Sequence, residues 1–191
     1  MASLLDILTA TFIGALLILM IIGISFYIQN SSNEVMTASV AQMNLKEIAE
    51  VLDYDLYKIG YRVPSNKILE ADSTRIRFQT DINNDGKIDT VYYFLGSQNE
   101  LTNTPNPRDK ILYRIENNQP LRGSNLGVVD FKLTYYDSTN TKINYNTLGS
   151  QNSRDKIRSI EYYVRVETLY PIEGYYPGAE MKRTIKPKNL R

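Results

Sequence analysis

Hydrophobic and polar positions change rhythm along this chain, and each rhythm predicts a different kind of structure. Residues 7–28, ILTATFIGALLILMIIGISFYI, hold no charge and no proline. At 1.5 Å rise per residue such a helix crosses a hydrocarbon layer of roughly 30 Å. One membrane-spanning pass is the first expectation. Beyond it, Val35, Ala38, Ala41, Leu45, Ile48, Leu52, Leu56 and Ile59 recur at spacings of three and four, which places them on one helical stripe. Lys46, Glu47, Glu50, Asp53 and Lys58 fall largely elsewhere. No proline occurs before Pro64, so the two halves predict one continuous helix over 4–59, on the order of 85 Å long. Only its second half is expected to pack on a domain. Gly60 caps it, Pro64 prevents its continuation, and 61–72 is expected to be a connector.

From Thr74 onward the period becomes two. Ile76 and Phe78, then Val91, Tyr93 and Leu95, then Ile111, Tyr113 and Ile115 predict three strands. Val129, Phe131, Leu133 and Tyr135 predict a fourth, with Asp130, Lys132 and Thr134 on its other face. Ile160, Tyr162, Val164 and Val166 form another, and residues 181–185 a short last one. Turn residues Asn84-Asp85-Gly86 and Asn117-Asn118 join neighbours, and strands so close in sequence are expected to be antiparallel. The predicted fold class is therefore α+β: a long N-terminal helix, transmembrane then amphipathic, packed on a mostly antiparallel β-sheet domain. Its divisions are expected at 1–29, 30–60 and 61–191.

Two long connections, 96–109 and 137–156, each carry LGSQN followed by RDKI. The repeat marks a local duplication, matching roles of the two loops, or a chance recurrence of short polar words. Among the 15 tyrosines are the doublets Tyr92-Tyr93, Tyr135-Tyr136, Tyr162-Tyr163 and Tyr175-Tyr176. On a sheet with one covered face, one ring of each doublet packs inward and its neighbour faces out, where a row of rings is also a docking surface.

Composition narrows the chemistry. With 191 residues, 42% of them hydrophobic, the chain can build one soluble domain beside the membrane segment. Its 22 basic and 21 acidic residues nearly cancel, so no nucleic-acid partner is expected. Zero cysteine and zero histidine remove disulfides, thiolate or imidazole metal sites and the usual nucleophile–base pairs. No enzyme is expected, and no catalytic residue is assigned. The N-terminus lacks the basic region and cleavage site of a secretory signal, so the apolar segment is expected to stay in the mature chain.

The sharpest local motif is Asp81-Ile82-Asn83-Asn84-Asp85-Gly86-Lys87-Ile88-Asp89. Oxygen-bearing side chains at positions one, three and five, a glycine at six, position seven for its backbone carbonyl and a carboxylate at nine are what a hard cation requires. Ca2+, held by Asp81, Asn83, Asp85, Lys87 and Asp89, is the natural ligand. Tyr92 stands where an EF-hand carries its bidentate glutamate, so the affinity should be modest. The alternative is a hairpin loop whose Asp and Asn side chains bond local backbone and whose Gly86 supplies a positive φ.

Asp6, at the head of the apolar run, admits two compatible readings. Ser3 and Asp6 have capping-box spacing, and an acid near a helix N-terminus favours the dipole. A carboxylate at the edge of an apolar segment is also expensive unless paired. If the initiator Met1 is removed, Asp6 is the fifth residue and Ala2 carries a free amine, so acid and amine on adjacent subunits would fix helix register. Lys182, Arg183, Lys186, Lys188 and Arg191 make a basic tail, read as a solvated end or a contact for an anionic partner.

A membrane-spanning then amphipathic N-terminal helix, followed by an antiparallel β domain, resembles the type IV pilins and type II secretion pseudopilins. An acid at the fifth mature position is that family's hallmark, and Asp6 would occupy it with Asp in place of the usual Glu. The strand order IRFQTDINNDGKIDTVYYFL, ILYRIENNQPLR, GVVDFKLTYYDSTN, IRSIEYYVRVETL and MKRTIKPKNLR is similar to the larger minor subunits of the PilW and pseudopilin-J type. The resemblance implies a pilin-like structural subunit, minor or tip-forming, of a type IV pilus or type II secretion pseudopilus. It implies homologous pilin or pseudopilin subunits as partners through helix packing, and membrane lipid before assembly. The protein would sit in the inner membrane with its C-terminal domain outside the cytoplasm, then in a periplasmic or extracellular filament. Ala2 and Asp6, with the small Gly14 and Gly23, would form the assembly contacts. Two departures stand out: only Met1 precedes Ala2, where the family has a basic leader, and no proline interrupts the helix, Gly23 lying near its place. The alternative is a single-pass, membrane-anchored binding or sensor module, which needs nothing special at Asp6.

Overall fold

In the computed structural model, which describes residues 2–117, 119 and 122–190, helix α1 runs unbroken over Ala2–Tyr57. Met1, Asn118 and Arg191, on which parts of the start, turn and tail readings fall, lie outside the described residues. Absence of proline lets α1 continue, and its polar residues do not interrupt it. Thr9 donates to the Leu5 carbonyl at 3.0 Å, Thr11 to Leu8 at 2.9 Å and Ser25 to Ile21 at 2.8 Å. Such back-bonding satisfies a hydroxyl without water, as an apolar layer demands. Ser3 lies inside α1 and does not cap it, because the helix already includes Ala2.

The chain divides into two compact units, Met1–Ser39 and Val40–Arg191. In the first, the large apolar side chains from Leu4 to Ile28 are exposed all round the helix. This is the one helix among the described residues long and apolar enough to cross a membrane.

In the second unit, the last part of α1 covers one face of a seven-stranded sheet. The strands are β1 (Ile68–Ala71), β2 (Arg75–Thr80), β3 (Asp89–Leu95), β4 (Lys110–Glu116), β5 (Arg122–Tyr136), β6 (Ser159–Glu167) and β7 (Gly178–Ile185). They pair in sequence order, each antiparallel to the next. Ala41, Leu45, Ile48, Leu52, Leu56 and Ile59 of the predicted stripe are buried against Ile76, Phe78, Val91, Tyr93, Phe131, Leu133, Ile160 and Val164. The α+β expectation stands, and the amphipathic stripe is the face that meets the sheet. Gly60, at φ +76°, turns the chain out of α1, and its amide donates to the Gln79 carbonyl at 2.9 Å.

Three local expectations change. The supposed connector 61–72 contains β1, an edge strand too short to show a period. In β4 the core face holds Leu112 and Arg114, while Ile111, Tyr113 and Ile115 remain half-buried on the other side. The reason is register: Tyr93 lies opposite Arg114 and Leu95 opposite Leu112, and opposed residues share a face. In β5 the pairing with β6 shifts between Val128 and Asp130, so Val128 joins the core cluster under α1, while the expected Val129 is buried outside that cluster. Such a shift is a bulge, and it reverses the alternation on one side of itself.

The echoed words acquire a physical meaning. Ser97 caps a short 3-10 helix, Gln98–Glu100, in a reciprocal capping box with Glu100. Ser150 caps α2, Gln151–Arg154, accepting from the Ser153 amide. Both LGSQN copies are thus helix-start signals inside long connections. Of the tyrosine doublets, Tyr93, Tyr135 and Tyr162 are buried, while Tyr92, Tyr136 and Tyr163 lie on the outer side. The basic tail is not a free end. Lys182 pairs with Glu161 at 3.0 Å, Arg183 with Asp53, and Lys188 lies 5.7 Å from the Tyr57 ring centroid.

Candidate functional site

In the 81–89 loop, β2 ends at Thr80 and β3 starts at Asp89. The chain turns through Asn84 at φ +64° and Gly86 at φ +87°, the conformations expected of those residues. Asp81 is fully buried, and its Oδ2 accepts from Arg62 Nη1 at 2.8 Å and from the Gly86 amide at 3.0 Å. Burial pushes its pKa up, but the bonds from Arg62 and Gly86 prevail and hold the carboxyl below its ordinary value. The other oxygen, Asp81 Oδ1, is buried without a hydrogen-bond partner.

The remaining loop side chains fold over the turn. Asn83 Oδ1 accepts from the Asp85 amide at 3.0 Å, and Asp85 Oδ1 from the Lys87 amide at 2.8 Å. Asp89 is engaged differently: Oδ2 accepts from the Ile82 amide at 3.1 Å and Oδ1 from Asn117 Nδ2 at 2.9 Å. Its carboxylate therefore ties the base of the loop to the turn after β4. Lys87 faces solvent, and position seven offers its carbonyl rather than its side chain.

Sequence spacing did not reveal what lies under the loop. Lys58 Nζ donates to the Ile82 carbonyl at 2.6 Å, the Asp81 carbonyl at 3.3 Å and Asn84 Oδ1 at 3.2 Å. Tyr54 donates to the Ile82 carbonyl at 3.4 Å, and the Asp81 amide donates to the Tyr61 carbonyl at 3.1 Å. The end of α1 and the turn after it thus form the floor of the loop. A signal was present in the sequence only as Lys58 and Arg62 in the turn just past the end of α1, and nothing local links either to residues some twenty positions on.

The predicted assembly residues are all in the first unit. Ala2 begins α1, and Asp6 lies one turn further on, exposed. At Gly14 and Gly23 a Cβ would meet nothing within 4 Å, so no contact among the described residues requires glycine at either position.

Three further polar clusters sit in the second unit. Asp55, almost fully buried on α1, accepts on one oxygen from both Tyr93 Oη and Arg114 Nε, each at 2.6 Å. Asp53 accepts from Tyr162 Oη at 2.6 Å and from Arg183. These acids, flanking the apolar stripe, bolt the helix to β3, β4, β6 and β7. At the opposite end of the sheet, buried Glu167 receives Arg108 at 2.8 Å and Arg165 at 3.2 Å, while Asn106 Nδ2 donates to it at 3.2 Å. Asp109 lies buried with neither oxygen met in hydrogen-bond geometry, and burial together with the Glu167 charge, opposed by the Thr104 hydroxyl, raises it to about 6. A cavity of about 260 Å³ lies between α1 and β3–β5, lined by Ile48, Val51, Leu52, Tyr93, Leu112 and Arg114. It falls short of the roughly 300–1,000 Å³ typical of small-molecule pockets.

No protein-family model, no curated protein and no solved structure matches this chain.

Proposed function

We propose that this protein is a non-enzymatic, pilin-like subunit, minor or tip-forming, of a type IV pilus or type II secretion pseudopilus, and that it assembles through α1. The observation that carries the reading is the surface of α1 in the first unit. Every large apolar side chain from Leu4 to Ile28 is exposed, and the segment opens on the acid Asp6. Lipid covers such a surface before assembly, and a bundle of like helices covers it afterwards. Gly14 and Gly23 support the second environment. Glycine in a helix interior costs about 1 kcal/mol relative to alanine, and here no contact among the described residues offsets it. Close approach of a neighbouring helix does. The antiparallel sheet, with the amphipathic part of α1 on one face, then forms the domain displayed outside the cytoplasm.

Asp6 neutralises the Ala2 amine of the adjacent subunit in this reading. Asp6→Ala is expected to abolish incorporation into the filament, read by immunoblot of sheared filaments. The second unit should still fold, since it lies wholly beyond residue 39. Normal incorporation of Asp6→Ala ends the ion-pair assignment. A chain that stays in the membrane and never enters a filament, with or without Asp6, is instead the single-pass binding module.

A further inference from the structure

We propose that the 81–89 loop is a Ca2+ site in which Asp81 Oδ1, the side-chain oxygens of Asn83 and Asp85, and the Lys87 carbonyl hold the ion. The proposal is independent of filament assembly, because every residue in it belongs to the second unit. Its starting point is the orphaned oxygen. The Asp81 side chain has no solvent exposure, and the Gly86 amide closes on its Oδ2, so the carboxylate is itself a member of the ring of chain that residues 81–86 make. No donor meets Oδ1 in hydrogen-bond geometry, while the Asn84 amide adds to the groups that hold the carboxyl ionised. A buried carboxylate oxygen without a partner is costly, and a cation inside the loop removes that cost.

Chemistry selects the ion. The loop offers carboxylate, amide and carbonyl oxygens on a flexible turn and no nitrogen or sulfur ligand, which suits a hard cation. Ca2+ tolerates irregular, mixed oxygen shells, whereas Mg2+ demands near-octahedral geometry and keeps its water. Affinity must be modest. Among the described residues no three acids converge as a metal group, and Asp89 is committed to Ile82 and Asn117. Lys58 and Arg62 also place two positive charges against the loop. A dissociation constant of roughly 10⁻⁴–10⁻³ M, the range of extracellular modules, is expected. Through Lys58, Arg62 and Tyr54 the bound ion would stiffen the junction between α1 and the β2–β3 hairpin.

The test uses the full chain in detergent micelles with Tb3+ as probe, excited through tyrosine. Tyr54 donates to the loop carbonyl of Ile82, and the Tyr61 ring centroid lies 5.5 Å from Lys58 Nζ, so an energy donor is at hand. Saturable Tb3+ luminescence that Ca2+ displaces is expected, with Mg2+ at least tenfold weaker as a competitor. Asp85→Asn, at an exposed position and with an oxygen still able to accept from the Lys87 amide, should weaken Ca2+ at least tenfold. Asp130→Asn, whose acid pairs with Lys132 on a strand remote from the loop, should leave the affinity unchanged. A Ca2+-induced rise in melting temperature should appear in the wild type and be lost in Asp85→Asn. Absence of saturable binding, or equal affinities in Asp85→Asn and Asp130→Asn, overturns the site and leaves the loop a hairpin.

Discussion

Replacing Asp55 by alanine tests what holds α1 to the sheet. Asp55 retains about 1% exposure and accepts from Tyr93 and Arg114, each at 2.6 Å. Removing one member of a buried ion pair costs about 3–5 kcal/mol, because the partner is left desolvated and uncompensated. Two facts reduce that figure here. The Arg114 side chain keeps 30% exposure, and its Nη1 still reaches Glu116 at 3.1 Å. The Tyr93 hydroxyl has no such alternative and loses its acceptor inside the core. A net loss of about 2–4 kcal/mol follows. For a protein of this size it lowers the melting temperature by about 5–15 °C. Thermal unfolding of the full chain in micelles, followed by near-ultraviolet circular dichroism of the tyrosines, reads it directly. Asp53→Ala is the matched comparison. Its partner Arg183 is half exposed and Asp53 itself is 26% exposed, but the Tyr162 hydroxyl also loses its acceptor, so about 1–2 kcal/mol is expected. Asp55→Asn, which keeps an oxygen for Tyr93 but no charge for Arg114, should fall between wild type and Asp55→Ala. If Asp55→Ala costs less than about 1 kcal/mol, or no more than Asp53→Ala, the buried pair is not what fixes the helix.

Other outcomes follow from the same physics. Asp109 has its folded pKa raised to about 6, so the folded state binds the proton more tightly than the unfolded chain does, and stability falls as pH rises from about 4 to about 6. Asp109→Asn should flatten that slope and raise the melting temperature at pH 7 while changing little at pH 4; an unchanged pH profile would refute the burial argument. Gly86→Ala meets no atom within 4 Å but must adopt φ +87°, so it should cost about 1–2 kcal/mol in denaturant unfolding. Gly149→Ala, with equal space and no positive φ, should be near neutral. Gly123 in β5 is different in kind: a Cβ there would sit 2.1 Å from Ile111 Cγ2 and 3.0 Å from the Tyr113 ring. Gly123→Ala should therefore destabilise by about 1–3 kcal/mol through overpacking of the β4–β5 pair.

The elements of this protein were determined by its sequence where periodicity is long and one-sided. Residues 7–28 can be little but an apolar helix, and the stripe from Ala41 to Ile59 had to meet a hydrophobic surface, because 3.6-residue periodicity over many turns leaves no other solution. Gly60 as the turn out of α1 and Gly86 as the turn of the hairpin were equally legible, since few residues tolerate positive φ. Periodicity failed where a strand carries a charge on its core face. Arg114 is accommodated beside Tyr93 only because Asp55 arrives from a helix 59 positions earlier, and the period of β4 contains no trace of that acid. It failed again at Val128, where a bulge set by pairing with β6 shifts the inward positions.

The candidate site divides in the same way. Oxygen-bearing residues at alternate positions ahead of Gly86 are local, so the loop was visible in the sequence. Tertiary structure alone decided that Asp81 is buried with one oxygen taken by Arg62 and the other orphaned, that Asp89 serves Asn117, and that Lys58 supports the loop from below. Each of those contacts joins residues distant in sequence, and their geometry depends on how α1, β2, β3 and β4 pack. Spacing specifies which atoms a loop can offer; packing decides which of them are already spent.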